Sequence, residues 1–358
     1  MSRDHIGIIA TELDIAPRQV GAVAELLNDG ATVPFISRYR KEATGSLDEV
    51  AITGIRDRLE QLEVLDKRRE AILKSLAERE LLTPELQQGI IQAATLTALE
   101  DIYLPHRPKR RTRATIAREK GLEPLALWLL AEAKKPQPET DAKAVAGRAA
   151  GFVDPEKEVA DAEEALAGAR DIIAEMVNEN LTVRGALRNL YLGDGVMTSR
   201  LIKGKETEGA KFRDYFEWSE PVRSAPGHRV LAMRRGEKEK ILRLTVAPGE
   251  DQALPLVNRE YVANRSAAAA QVEEAIREGY KRLLSVAMET DIRLEMKKRA
   301  DEEAIGVFAE NLRQLLLAPP LGPKRVLALD PGCSFPGIPV GGGKIKQSRL
   351  VGGGFLSL

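Results

Sequence analysis

Cysteine is almost missing: Cys333 is the only one in 358 residues, which removes any disulfide framework or cysteine-based zinc site and makes a reducing, cytoplasmic setting the expectation. Aromatic residues are only 4% of the chain, which disfavours an all-β fold. A surplus of charge is missing too, because 54 basic residues face 54 acidic ones. Any attraction to a polyanion must therefore come from local patches rather than a global field. No stretch approaches the ~20 apolar residues needed to span a bilayer, and Met1 to Glu12 lacks an apolar core of signal-peptide length. No internal repeat is visible.

What remains is rich in Ala, Leu, Glu, Lys and Arg, the composition of a mainly α protein. Ser46 with Glu49 reads as a capping box that opens a helix from about Leu47 to about Glu80, with Ile55, Leu59, Leu62, Ile72, Leu73 and Leu76 at helical spacing. Further starts are expected at Thr83-Pro84-Glu85, at Thr97 with Glu100, and at Asp154-Pro155-Glu156, where proline suits the first turn because its missing N–H is not needed there. Helices should continue to about Leu192, interrupted by a Pro-rich connector over Lys134–Thr140 and closed by the Gly193-Asp-Gly195 turn. Between Met197 and Ala247 the texture shortens, and Ile241–Val246 alternates as a strand does, so one or two strands are expected. Two long helices follow, Val272 to about Ala287 and Asp291 to about Leu317. The second carries an apolar stripe, Ile292, Ile305, Phe308, Leu312, Leu315 and Leu316, expected to pack on neighbouring helices.

Three basic segments carry the functional reading. The run Val33-Pro-Phe-Ile-Ser-Arg-Tyr-Arg-Lys-Glu-Ala-Thr-Gly-Ser-Leu-Asp48 sets Arg38, Arg40 and Lys41 beside Phe35 and Tyr39, bracketed by Pro34 and Gly45. Phe35 and Tyr39 are four apart on one helical face, where core packing is expected, with base stacking by Tyr39 the other use. The three cations need an external partner, phosphate foremost and Glu42 in part. Arg107, Lys109, Arg110, Arg111, Arg113 and Arg118 form the densest cluster, with no acid between Asp101 and Glu119. Two uses stay open for it: phosphate contact, with log affinity falling ~0.9 per neutralised phosphate per log unit of salt on duplex, or pairing with an acidic helix face such as residues 160–175. Pro105 and Pro108 stiffen this loop. Ser224 to Gly236 reads as a short helix ended by Gly236 that carries Arg229, Arg234 and Arg235, either a recognition helix of a helix-turn-helix or an ordinary basic helix. His228 has no partner at metal-ligand spacing, and no cofactor or metal is expected.

Val326-Leu-Ala-Leu-Asp330-Pro-Gly332 reads as a strand ending in a carboxylate. Two-metal chemistry needs several converging acids, and no acidic residue follows Asp330. The glycine triplets Gly341–Gly343 and Gly352–Gly354 lack the Gly-Lys-Ser/Thr ending of a phosphate loop, and 333–358 reads as a flexible tail.

The Val33–Asp48 run, Leu99-Glu-Asp-Ile-Tyr-Leu-Pro-His-Arg-Pro-Lys-Arg-Arg-Thr-Arg113, Glu208-Gly-Ala-Lys-Phe-Arg-Asp-Tyr-Phe216 and Glu302-Glu-Ala-Ile-Gly-Val-Phe-Ala-Glu-Asn-Leu-Arg313 together resemble the N-terminal half of the bacterial Tex transcription accessory proteins. The resemblance runs over about residues 1–332. It implies a helical N-terminal domain over 1–195, a helix-turn-helix-like region with short strands and long helices over 196–323, and the start of a YqgF-type, RNase H-like domain at 324–332. In that family hairpin motifs and an RNA-binding OB-fold come later. After Gly332 the match is lost, where relatives continue with Arg-Thr-Gly, and a frameshift or truncated gene is the expectation. The implied function is non-enzymatic binding of RNA or DNA through the phosphate backbone, with RNA polymerase or other transcription proteins as further partners. Two alternatives stand: a helical scaffold that docks on the transcription machinery, and a metal-dependent nuclease using Asp330.

Overall fold

The computed structural model describes residues 3–108, 111–136 and 140–319. Lys109 and Arg110, the strand expected at Val326–Gly332 and the Gly-rich tail lie outside the described residues. The chain is mainly α, as expected. In order it forms α1 (Arg3–Leu13), α2 (Pro17–Asn28), α3 (Val33–Tyr39), α4 (Lys41–Thr44), α5 (Glu49–Ala77), α6 (Pro84–Gln92), α7 (Leu96–Tyr103), α8 (Arg113–Glu119), α9 (Glu123–Lys134), α10 (Ala142–Ala150), α11 (Ala162–Asn178) and α12 (Leu181–Asp194). Then come β1 (Val196–Leu201), β2 (Glu217–Pro221), α13 (Gly227–Lys238), β3 (Leu242–Ala247), α14 (Glu250–Tyr261), α15 (Ala267–Gly279) and α16 (Ser285–Leu317). The strands make one sheet in the order β2-β1-β3, and β3 alternates buried and exposed residues as the sequence pattern requires.

Local chemistry explains most boundaries and corrects several. Thr83 caps α6 by accepting from the Leu86 N–H at 3.2 Å, with Pro84 in the first turn. The Ser46 capping box is not formed: Asp48 caps α5, accepting from the Ala51 N–H at 2.8 Å, while Ser46 adopts φ 64° in the turn before it. Thr95 rather than Thr97 caps α7. Asp154 does cap its segment, but only a single 3-10 turn, Pro155–Lys157, follows. Gly236 does not end α13; it is buried inside it, and the helix continues to Lys238. The break expected between Ala287 and Asp291 is absent, because nothing there breaks a helix. A π-turn over Tyr280–Leu284 joins α15 directly to α16.

Two compact units divide the described chain. The first takes residues up to 198, 219–223 and 245–292. Its N-terminal core gathers Ile9, Val20, Val23, Ile36, Ile52, Ile55, Leu59, Leu62, Ile72, Leu76, Ile90 and Leu99 from α1–α3 and α5–α7. In the same unit, α9, α11 and α15 pack through small residues, Ala126, Ala165, Ala169, Ala268 and Ala275, all essentially inaccessible. Gly279 belongs to that contact: a Cβ there would lie 2.9 Å from the Ala174 Cβ, so α15 approaches α11 closely only because the side chain is missing. A buried ionic cluster completes the unit. Asp101 accepts from Arg184 Nε at 2.7 Å and Arg188 Nη2 at 2.8 Å, and Asp291 accepts from Arg188 at 3.3 Å.

The second unit takes 199–218, 224–244 and the described residues from 293 on. Phe212, Val230, Met233, Ile241, Leu242 and Met296 form its core, and the Glu303 carboxylate accepts from the Gly227 N–H at 2.9 Å, capping α13. A 3-10 turn, Val222–Ser224, precedes α13 and β3 follows it, so consecutive helices do not build the expected helix-turn-helix there. The distal stripe of α16 is also not packed among the described residues: Ile305, Phe308, Leu312, Leu315 and Leu316 are all exposed. No described helix is long and apolar enough to cross a membrane.

Candidate nucleic-acid interface

α3 buries Val33, Ile36 and Ser37, the i, i+3, i+4 stripe of a one-sided helix. At about 100° per residue, Phe35 and Tyr39 fall well off that stripe. The core packing expected of them is overturned: Phe35 is 39% exposed and Tyr39 65%. Their rings are paired with centroids 5.5 Å apart and planes tilted 41°, and the Arg40 guanidinium sits 5.2 Å from the Phe35 centroid. The chain turns at Arg40 (φ −129°, ψ 32°) into α4, which ends at Gly45 in the left-handed region with φ 65°. Two bonds hold this corner. Thr44 Oγ1 donates to the Arg40 carbonyl at 3.1 Å, and Gln19 Nε2 of α2 donates to the Thr44 carbonyl at 2.8 Å. Arg38, Arg40 and Lys41 are exposed and form no ion pair among the described residues. Glu42, expected as a partial partner, forms none there either.

The second patch is a loop pinned at both ends. Arg79, just past the end of α5, donates through Nη1 to the His106 carbonyl at 2.6 Å. At the far end Thr112 caps α8, accepting from the Thr115 N–H at 3.0 Å, and donates to Glu175 Oε1 of α11 at 3.1 Å. Pairing with acid, one of the two uses left open for this cluster, is seen for Arg118 and Arg111. Arg118 pairs with Glu175 and Glu123; burial alone would lower its pKa, but the bonds to these carboxylates outweigh that and raise it. Arg111 pairs with Glu119 at 2.9 Å. Arg107 and Arg113 are exposed and without an ion pair among the described residues, and both line a cavity of about 200 Å³ with Thr112, Asp171, Glu175 and Arg282. Asp171 is engaged with Arg282 at 2.6 Å.

The third segment is engaged within the second unit. Arg229 lies 5.3 Å over the Trp218 ring, Arg234 donates to the Arg293 carbonyl at 3.5 Å, and Arg235 pairs with Glu239 at 3.1 Å. No group of three or more His, Cys, Asp or Glu side chains is placed to hold a metal ion among the described residues, and Asp330 lies outside them.

Residues 3–77 match the family model for a Tex-like protein N-terminal domain, and residues 138–308 match that for a Tex central region-like segment. The chain is 44% identical over 346 residues to Protein tex of Bordetella pertussis, covering 92% of this chain and 43% of that protein. It is 41% identical over 331 residues to the transcriptional accessory protein Tex of Neisseria gonorrhoeae, covering 91% and 42%. It is 25% identical over 351 residues to S1 RNA-binding domain-containing protein 1 of Homo sapiens, covering 93% of this chain and 34% of the relative. The chain thus spans less than half the length of each of these relatives.

Proposed function

This chain belongs to the Tex family of transcription accessory proteins, and from that premise we propose that it binds nucleic acid non-enzymatically, through phosphate contacts made by its N-terminal unit. One observation carries the reading. In a chain whose charges balance, Arg38, Arg40, Lys41, Arg107 and Arg113 remain exposed and without an acidic partner among the described residues. A cation held on a pinned backbone and left unpaired is what a phosphate needs, and each such contact releases condensed counterions. The names of the relatives, a transcriptional accessory protein and an S1 RNA-binding domain-containing protein, support the same assignment; the cytoplasmic setting in this reading rests on the near absence of cysteine.

Fluorescence anisotropy of the purified chain with labelled RNA and DNA, single- and double-stranded, across a salt series tests this. The expected result is binding that weakens steeply and log-linearly with salt. Absence of binding at low salt would remove the proposal. Retention of the nucleic acid uncut in magnesium is expected; cleavage that disappears in Asp330→Asn would instead favour a nuclease.

A second reading draws on the distal part of α16, where Ile305, Phe308, Leu312, Leu315 and Leu316 are exposed. Such a face suits protein contact, and under this reading the chain docks on the transcription machinery, RNA polymerase included. An association that survives nuclease treatment and is lost in Phe308→Glu would support it.

A further inference from the structure

We propose that Phe35 and Tyr39 form a base-stacking platform that makes the α3 patch prefer single-stranded over double-stranded nucleic acid. The inference rests on the nucleic-acid reading above and specifies the ligand class at one of its two patches.

Five observations converge. The rings are outside the core: α3 satisfies its packing with Val33, Ile36 and Ser37, and the aromatic pair is left 39% and 65% exposed. They are not closed on each other, because a 41° tilt at 5.5 Å leaves ring surface of Tyr39 in solvent rather than sandwiched against Phe35. Three cations flank them and form no ion pair among the described residues, Arg38 one residue before Tyr39, Arg40 one after, and Lys41 next. Arg40 itself covers the Phe35 ring at 5.2 Å, so the charged and aromatic groups act as one surface. Finally, the corner is preorganised by the bonds from Gln19 and Thr44, so little ordering remains to be done on binding.

An exposed aromatic next to unpaired cations matches the way single strands are held without sequence readout: cations follow the backbone while ring faces take unstacked bases. A duplex keeps its bases stacked on one another and offers a side chain only their edges in the grooves. The cations alone would bind both forms. The rings therefore supply the discrimination, and the charge supplies the shared affinity.

The test is anisotropy of the full chain with labelled oligo(U), oligo(dT) and a mixed-sequence duplex across a salt series. The variants are Tyr39→Leu, Phe35→Leu/Tyr39→Leu and Tyr39→Trp. Both positions lie on the surface, and an unchanged circular dichroism spectrum and melting temperature confirm the fold of each variant. Single-strand affinity should fall roughly tenfold per stacked base in the Leu variants, with the salt slope and duplex affinity unchanged, while Tyr39→Trp keeps wild-type binding. Photocrosslinking with 4-thiouridine in oligo(U) should recover the peptide that carries Tyr39. If the double Leu variant binds single strands like the wild type, or loses single strand and duplex equally, the platform is overturned while the phosphate contacts stand. If the wild-type chain binds neither form at low salt, both the platform and the underlying reading fail.

Discussion

Gln19 Nε2 reaches across from α2 to donate to the Thr44 carbonyl at 2.8 Å and to the Gly45 carbonyl at 3.4 Å, fixing the end of α4 and with it the basic corner of α3 and α4. Gly45 makes this possible twice over. Its φ of 65° is costly for any residue with a Cβ, and a Cβ there would stand 2.5 Å from Gln19 Nε2. Gly45→Ala should therefore lower stability by about 1–3 kcal/mol. Urea unfolding should show an earlier midpoint at an unchanged slope. Binding through Arg38, Arg40 and Lys41 should weaken with it, since their backbone is no longer fixed.

Arg107 and Arg113 differ from Arg118 in what they face, and the difference is measurable. The first two have no acid to satisfy them among the described residues; the third is held by Glu175 and Glu123. Arg107→Ala/Arg113→Ala should leave the melting temperature in place and reduce the salt slope on duplex by up to about 1.8, two counterion contacts at ~0.9 each. Arg118→Ala should do the reverse. It removes the guanidinium from the Glu175 carboxylate, which is only 8% exposed and keeps the Thr112 hydroxyl, and should cost about 1–3 kcal/mol with no change in slope. Equal slopes for the double variant and the wild type would remove the loop from the interface.

Asp101 holds two guanidiniums at once, and one of them, Arg184, is 6% exposed. Removing the carboxylate leaves a buried cation whose remaining acidic partner among the described residues is the more distant Asp291, at 3.7 Å from Arg184. Asp101→Ala should cost about 3–5 kcal/mol. Chemical unfolding of Asp101→Asn alongside it separates shape from charge: a wild-type midpoint for the Asn variant would show that packing, not the ion pair, sets the stability of this cluster.

How much of this was legible in the sequence depends on the range of the interaction. Thr83-Pro84 declares its helix start within three residues, and α6 begins there. Ser46 misleads because Asp48, two residues on, is an equally good cap, and the choice is made by the left-handed turn at Gly45 and Ser46 rather than by residue type. Phe35 and Tyr39 do share a face; which face is decided by Val33 and Ile36, whose burial depends on α5. The stripe from Ile305 to Leu316 has a helical period, but a period specifies an apolar face and not an occupant, and among the described residues it stays exposed. That Arg118 of the 107–118 cluster is held inward turns largely on Glu175, more than fifty residues away on α11. The Asp101–Arg184–Arg188 cluster joins partners 83 and 87 residues apart that leave no periodic trace.

Tyr191 and Tyr280 share a hydrogen bond at 3.1 Å between hydroxyls, both side chains nearly inaccessible. Burial pushes the Tyr191 phenol above the ordinary tyrosine range, reinforced by the Tyr280 hydroxyl; burial likewise raises Tyr280 and Tyr261, with the bonds from Tyr191 and Asn180 acting in the opposite sense. The folded state thus keeps phenolic protons that the unfolded chain gives up, at a pH of about 10 for a free phenol. More protons bound in the folded state means that stability falls as pH rises, so the contribution of these groups is intact below about pH 10 and is lost above it. Unfolding followed by circular dichroism against pH should show that alkaline decline, accompanied by late phenolate absorbance. Tyr280→Phe should cost about 1–3 kcal/mol at neutral pH by stranding the Tyr191 hydroxyl. In Tyr191→Phe/Tyr280→Phe no buried hydroxyl of the pair remains, so the double variant should be more stable than the sum of the single losses predicts and should decline less steeply above pH 10. Strict additivity of the two losses, with the alkaline decline unchanged, would show that the two hydroxyls are not coupled.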